Sequence, residues 1–165
     1  LVIAPEPVHD ERSTDRQGEP VGTRPHPGSP LVAGGRANAI WVDLFFWVGA
    51  ALVAWSGAVH FRLWSTGYRH IATIGPLFMF QGVAAVVLAV VVAAFRRVWA
   101  ALAAFVFVAA TIGGFLISVE AGLFGFQDTW TAPFAVMAFG VEVAACVVLA
   151  AAAGLAVQRS RPRRS

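Results

Sequence analysis

Four stretches of this chain, roughly Ile40 to Phe61, Ile71 to Phe95, Val98 to Val119 and Thr131 to Val157, run for 22 residues or more with hardly a charge among them. A helix rises 1.5 Å per residue, so about 20 residues cross a ~30 Å hydrocarbon core. A helix at a water-facing surface keeps a polar stripe at period 3.6, and Gly82 to Ala93 has none on any side. Strands of a membrane barrel would alternate apolar with polar over about 10 residues, and no such alternation occurs. The expected fold is therefore all-α: a polytopic membrane protein, a four-transmembrane-helix bundle.

Charge content agrees. Charged residues are 13% of the chain, against about 25% in an average soluble domain. That is too little to cover a surface facing water, so the lipid bilayer is the first expected partner. The sequence pI of about 10.4 could suggest nucleic-acid binding. However, Arg159, Arg161, Arg163 and Arg164 directly follow the last apolar run, where basic residues set membrane orientation. No nucleic-acid partner is expected.

Three segments follow. Residues 1–37 hold Pro5, Pro7, Pro20, Pro25, Pro27 and Pro30 among charged and small residues with no apolar period, the composition of a disordered tail. Residues 38–158 hold the four spans, at about 40–61, 71–95, 98–119 and 131–157, and 159–165 form a basic C-tail. An even number of spans puts Arg24, Arg36, Arg96, Arg97 and the four C-terminal arginines on one side, with Arg62 and Arg69 on the other. The positive-inside bias then predicts a multi-pass plasma-membrane protein with both termini cytoplasmic. Trp41, Trp47, Trp64, Tyr68, Trp99 and Trp130 fall at or near run ends, where amphipathic rings favour the headgroup zone. Small residues recur at four-residue spacing (Ala50, Ala54, Ala58; Ala85, Ala89, Ala93; Ala110, Gly114, Ser118; Gly140, Ala144), a pattern that lets helices approach closely in lipid.

Few residues can carry chemistry. Cys146 is the single cysteine, which excludes an intrachain disulfide and a CxxC motif; no nucleotide loop or Ser-His-Asp series is present. Glu142 lies about 16 Å inside the fourth span counted from Thr131, near the midplane, where a carboxyl is costly and faces the bundle interior. Gln81 lies about 15 Å inside the second span from the same surface. The two are expected to meet across the bundle, joined by Thr111 and Ser56, as a polar clasp fixing register or as a proton or ligand site. His60 and His70 flank the connection Phe61 to Arg69, with Arg62, Arg69, Glu120 and Asp128 at the same face. That set is expected to form an interfacial polar network of ion pairs. Divalent metal or haem ligation by His60 and His70 is the alternative; no cofactor is otherwise expected. Glu120 to Trp130 is too short to span and is glycine-punctuated and aromatic, fitting a loop in the interface or over the bundle mouth.

The order His60-Phe-Arg-Leu-Trp64, Gly67-Tyr-Arg-His-Ile-Ala-Thr-Ile-Gly-Pro-Leu-Phe78, Gly122-Leu-Phe-Gly-Phe126 and Glu142 resembles a group of small four-helix integral membrane proteins from actinobacteria, over roughly residues 45–150. The resemblance implies the same topology and points to His60, Gly75, Pro76 and Glu142; it supplies no reaction. The function expected is that of a non-enzymatic structural or accessory subunit of an envelope or respiratory membrane assembly, bound to a membrane-protein partner or to copies of itself. The alternatives are a small proton-coupled transporter acting as a dimer through Glu142, and a haem- or metal-binding subunit using His60 and His70.

Overall fold

With no water in a bilayer core to satisfy a backbone, an apolar run must close its hydrogen bonds within itself, which a helix does. The computed structural model describes the backbone of residues 30–160 and the side chains of residues 39–160. It contains α1 (Pro30–Thr66), α2 (Ile74–Phe95), α3 (Val98–Glu120) and α4 (Ala135–Ser160), with a single 3₁₀ turn, Tyr68–His70, between α1 and α2. All four helices are long and apolar enough to cross a membrane, so the chain is a multi-pass membrane protein. The tail expectation for residues 1–29 and the last five residues of the basic C-tail lie outside the described residues. The backbone of α1 begins inside the last part of the stretch 1–37, at Pro30, whose fixed φ and missing N–H suit a first helical turn.

Helix ends differ from the apolar runs for local reasons. Helix α1 continues past Phe61 because Ser65 and Thr66 donate their hydroxyls to the Arg62 carbonyl at 2.9 and 2.8 Å, tying down its last turn before Gly67 releases the chain. Helix α2 starts at Ile74 rather than Ile71, since Ile71 to Thr73 turn the chain: Ile71 N–H donates to the Tyr68 carbonyl at 3.1 Å and Thr73 sits at φ 65. Pro76 follows in the first turn, where no intrahelical donor is lost. Helix α4 starts at Ala135 rather than Thr131 because Pro133 lacks an N–H and Phe134 sits at φ 66. Between α2 and α3 the turn is only Arg96 and Arg97. Arg96 takes a left-handed conformation and donates its N–H to the Val92 carbonyl at 3.0 Å.

Short connections make sequential helices antiparallel neighbours, and the ring order around the bundle is α1, α2, α3, α4. Helix α1 packs on both α2 and α4, α3 packs on α4 and more loosely on α2, while α2 and α4 occupy opposite corners without contact. At the closest α1–α2 crossing, a Cβ on Gly57 would lie 3.1 Å from the Gly82 carbonyl oxygen and one on Gly82 would lie 2.9 Å from the Phe61 ring. Of the small-residue rows, Ala50, Ala85, Ala89 and Ser118 are buried, whereas Gly140 and Ala144 are exposed. Trp41, Trp47, Trp99 and Trp130 are exposed, as rings at a membrane boundary should be.

The core is closed in one half of the bundle only. Phe46, Val53, Val92, Ala100, Ala104, Val108, Ala145 and Leu149 join in one buried cluster, which occupies the half nearest the α2–α3 turn. Toward the other end, which carries the α1–α2 and α3–α4 connections, the helices part around a cavity.

Candidate functional site

The floor of this cavity is built from α1 and α4. Glu142 is 2% exposed, and Ser56, 1% exposed, donates its hydroxyl to Glu142 Oε1 at 2.9 Å. One turn further along α1, His60 turns its ring the same way, with Nδ1 2.9 Å from the Ser56 carbonyl. A carbonyl oxygen only accepts, so Nδ1 carries the hydrogen and Nε2 is left with its lone pair. That Nε2 lies 4.0 Å from Glu142 Oε1, beyond hydrogen-bond range but close enough for a proton on either group to be felt by the other. Among the described residues no fully buried side-chain nitrogen or oxygen lacks a partner. The atoms left without one, Glu142 Oε2 and His60 Nε2, therefore open onto the cavity.

Gln81 and Thr111 line the opposite wall and bond to each other, Gln81 Nε2 donating to Thr111 Oγ1. Thr111 in turn donates to the Phe107 carbonyl at 3.1 Å. The expected Glu142–Gln81 clasp is thus replaced by two separate pairs, Glu142 with Ser56 and Gln81 with Thr111. The reason is the ring order: Glu142 and Gln81 lie at matching depth, but on helices at opposite corners. They face one cavity without touching.

The cavity encloses about 360 Å³. Its walls are aromatic. Tyr68 stacks on Phe78 with centroids 4.6 Å apart, His60 lies 5.3 Å from Phe78, and Phe126 meets Tyr68 edge-on at 5.7 Å. On the α3–α4 side, Phe115 and Phe139 also line it, each packed edge-on with Trp130 at 5.0 and 5.2 Å. Phe80 lines the cavity and yet is 65% exposed, so the cavity reaches the lipid-facing surface beside α2, where the α2–α3 packing is loosest.

The 121–134 connection covers the mouth, as one of the two expectations for Glu120 to Trp130 had it. Leu123 and Phe126 exchange backbone hydrogen bonds at 2.7 and 2.9 Å, and Phe124 and Gly125 between them both have positive φ, 53 and 76, the geometry of a type I′ turn. The turn aims Leu123 and Phe126 at the cavity and leaves Phe124 outside, 66% exposed. Asp128 follows. Its N–H donates to the buried Ser118 hydroxyl at 3.3 Å, its Oδ1 accepts the Thr129 N–H at 2.8 Å, and the residue belongs to the lining. Burial pushes the Tyr68 phenol above its ordinary pKa, and the charge of Asp128 adds to the shift.

The expected outer-face set does not assemble as a unit. Asp128 and His60 join the cavity, but His70 is exposed and accepts a bond from Arg69 Nε at 2.8 Å, and Glu120 and Arg62 are exposed outside it. Neither Arg62 nor Arg69 forms an ion pair with Glu120 or Asp128; the one described pair is His60–Glu142. Among the described residues no three of His, Cys, Asp and Glu gather where a metal ion could be held, and His60 and His70 point to different partners. Tyr68, Phe78, Phe115, Phe126 and Phe139 were not foreseen as site residues. Comparison of the chain with protein-family models, curated proteins and solved structures finds no match.

Proposed function

We propose that this chain is a non-enzymatic membrane protein that binds one small lipophilic molecule in the cavity, with Glu142 as its polar anchor. One observation carries the reading: a space of about 360 Å³, walled by aromatics, ends on a buried carboxyl and imidazole whose free atoms face into it. Small-molecule sites have this character, roughly 300–1,000 Å³, mostly apolar, with a few convergent polar groups. The non-enzymatic part is supported by the sequence, which holds no nucleotide loop and no Ser-His-Asp series. The accessory-subunit role fits within this reading, since a chain that holds a lipophile without transforming it needs a second membrane protein to use it. The arginine distribution supports a plasma-membrane orientation with both termini cytoplasmic.

A second reading, proton-coupled transport as a dimer, is favoured by the His60–Glu142 approach of 4.0 Å, because a proton can reside on either partner. The readings separate under a proton gradient across proteoliposomes: a proton-coupled transporter accumulates its substrate against a concentration gradient, while a binding protein does not.

The binding reading is tested in phosphatidylcholine nanodiscs with 3-phenylpropanol, a neutral aromatic alcohol small enough for the cavity. Saturable binding of one molecule per chain is expected, abolished by Gly114→Leu. A Cβ at Gly114 meets nothing within 4 Å, and Gly114 lines the cavity, so a leucine there starts into open space at the cavity wall. Binding that is absent in the wild type, or undiminished by Gly114→Leu, overturns the proposal.

A further inference from the structure

We infer that the cavity selects lipophilic cations: molecules with a compact apolar body and a protonated amine. This rests on the binding reading above and names its ligand class. The first ground is charge. Two carboxyl groups line the cavity at different depths, Asp128 in the connection over the mouth and Glu142 at the floor, and none of its lining residues is an arginine. The titratable groups facing it are His60 from α1, Tyr68 from the 3₁₀ turn, Asp128 from the 121–134 connection and Glu142 from α4. None comes from α2 or α3, whose polar contributions are Gln81, Thr111 and Ser118.

The second ground is hydrogen-bond sense. Ser56 spends its hydrogen on Glu142, His60 Nδ1 on a backbone carbonyl, and Thr111 on the Phe107 carbonyl. Remaining on the floor are acceptors, Glu142 Oε2 and the His60 Nε2 lone pair. Asp128 likewise has its Oδ1 engaged by the Thr129 N–H and keeps Oδ2 for a ligand. A ligand whose polar atoms all accept, such as a ring with two carbonyls, would meet acceptors there. An ammonium brings three donors and no acceptor, and its hydrogens match Glu142 Oε2 and His60 Nε2 together. The third ground is the wall. Tyr68, Phe78 and Phe126 line the cavity, Tyr68 stacked on Phe78 and edge-on to Phe126, and a ring face left open to a cation attracts it most strongly when water is excluded. Access beside the exposed Phe80 suits a molecule that reaches the site from the bilayer.

Three probes sharing one apolar body test the inference at pH 7 by equilibrium dialysis against the protein in phosphatidylcholine nanodiscs, with empty discs subtracted: 3-phenylpropylamine, 3-phenylpropanol and 3-phenylpropionate. The amine is expected to bind about 10- to 100-fold more tightly than the alcohol, the worth of a hydrogen bond to a charged group, and the carboxylate to show no saturable binding. Glu142→Gln, which keeps an acceptor for Ser56, should abolish the preference for the amine over the alcohol. Asp128→Asn should weaken the amine alone, by a smaller factor, because that side chain is only half-buried. Saturable binding of the alcohol with no preference for the amine, or a preference that survives Glu142→Gln, overturns cation selectivity while the binding reading stands. No saturable binding of any probe overturns both.

Discussion

Gly75→Ala is a small change with a large expected consequence. Gly75 is buried in the first turn of α2, and a Cβ there would lie 2.7 Å from the Arg69 carbonyl oxygen and 2.8 Å from that of Tyr68. Both are backbone atoms of the 3₁₀ turn. They cannot rotate away as the end of a side chain can. Contact at low energy needs about 3.5 Å, so the turn must move by several tenths of an ångström. It carries Tyr68, which stacks on Phe78 at 4.6 Å and forms part of the cavity wall. Overpacking of this kind costs about 1–3 kcal/mol. The gain in helix propensity from replacing glycine, about 0.5–1 kcal/mol, opposes it. Gly114→Ala supplies the control, because it is also a helical glycine but its Cβ would meet nothing within 4 Å. The propensity gain then largely cancels in the comparison. Gly75→Ala should be less stable than Gly114→Ala by about 1–3 kcal/mol when both are unfolded by denaturing detergent in mixed micelles. Equal stability of the two variants would refute the close backbone approach.

Other expectations follow from the same geometry. Tyr68 is the single tyrosine, so its phenolate absorbance can be titrated directly. The midpoint should lie above the ordinary value near 10, and Asp128→Asn should lower it only part of the way, since burial is the larger cause. With its folded pKa raised, the phenol contributes stability that is whole below the unfolded value and is lost as pH rises through the folded one, so unfolding in alkali should become easier across that window. Glu142→Gln should leave thermal stability in detergent nearly unchanged, whereas Glu142→Leu strands the Ser56 hydroxyl and should cost about 1 kcal/mol, the scale of a polar contact between membrane helices. In a Cys146→Ala background, a cysteine at Thr129 should react with an impermeant reagent in intact cells and one at Ser165 only after permeabilisation; labelling of 165 from outside would reverse the proposed orientation.

The spans were legible because hydrophobicity over 22 residues is decided by the residues alone, with no help from tertiary packing. Depth was legible for a related reason, since helical rise fixes how far Glu142 and Gln81 sit from one surface. What rise cannot give is which helices are neighbours around the ring. That order, with α2 and α4 at opposite corners, made Ser56 rather than Gln81 the partner of Glu142. The helix starts shifted where single residues outweighed the apolar pattern, Thr73 and Phe134 through positive φ and Pro133 through its missing N–H. Spacing of small residues overstated Gly140 and Ala144, which face outward, and passed over Gly57 and Gly82, where backbone and ring approach within about 3 Å. The aromatic wall was hidden because Tyr68 and Phe126 come from two connections distant in sequence, and nothing in a turn's composition shows that its partner is another turn. The glycines beside Phe124 were the available signal, marking a tight reversal that had to aim its flanking side chains somewhere.

The central claim, that a ligand cavity ends on Glu142, is tested most directly by native mass spectrometry of the protein drawn gently from its own membranes, wild type beside Gly114→Leu. The wild type should retain one small organic molecule per chain that the Gly114→Leu variant lacks. Identical spectra, with both forms bare or both carrying the same adducts, would contradict the account.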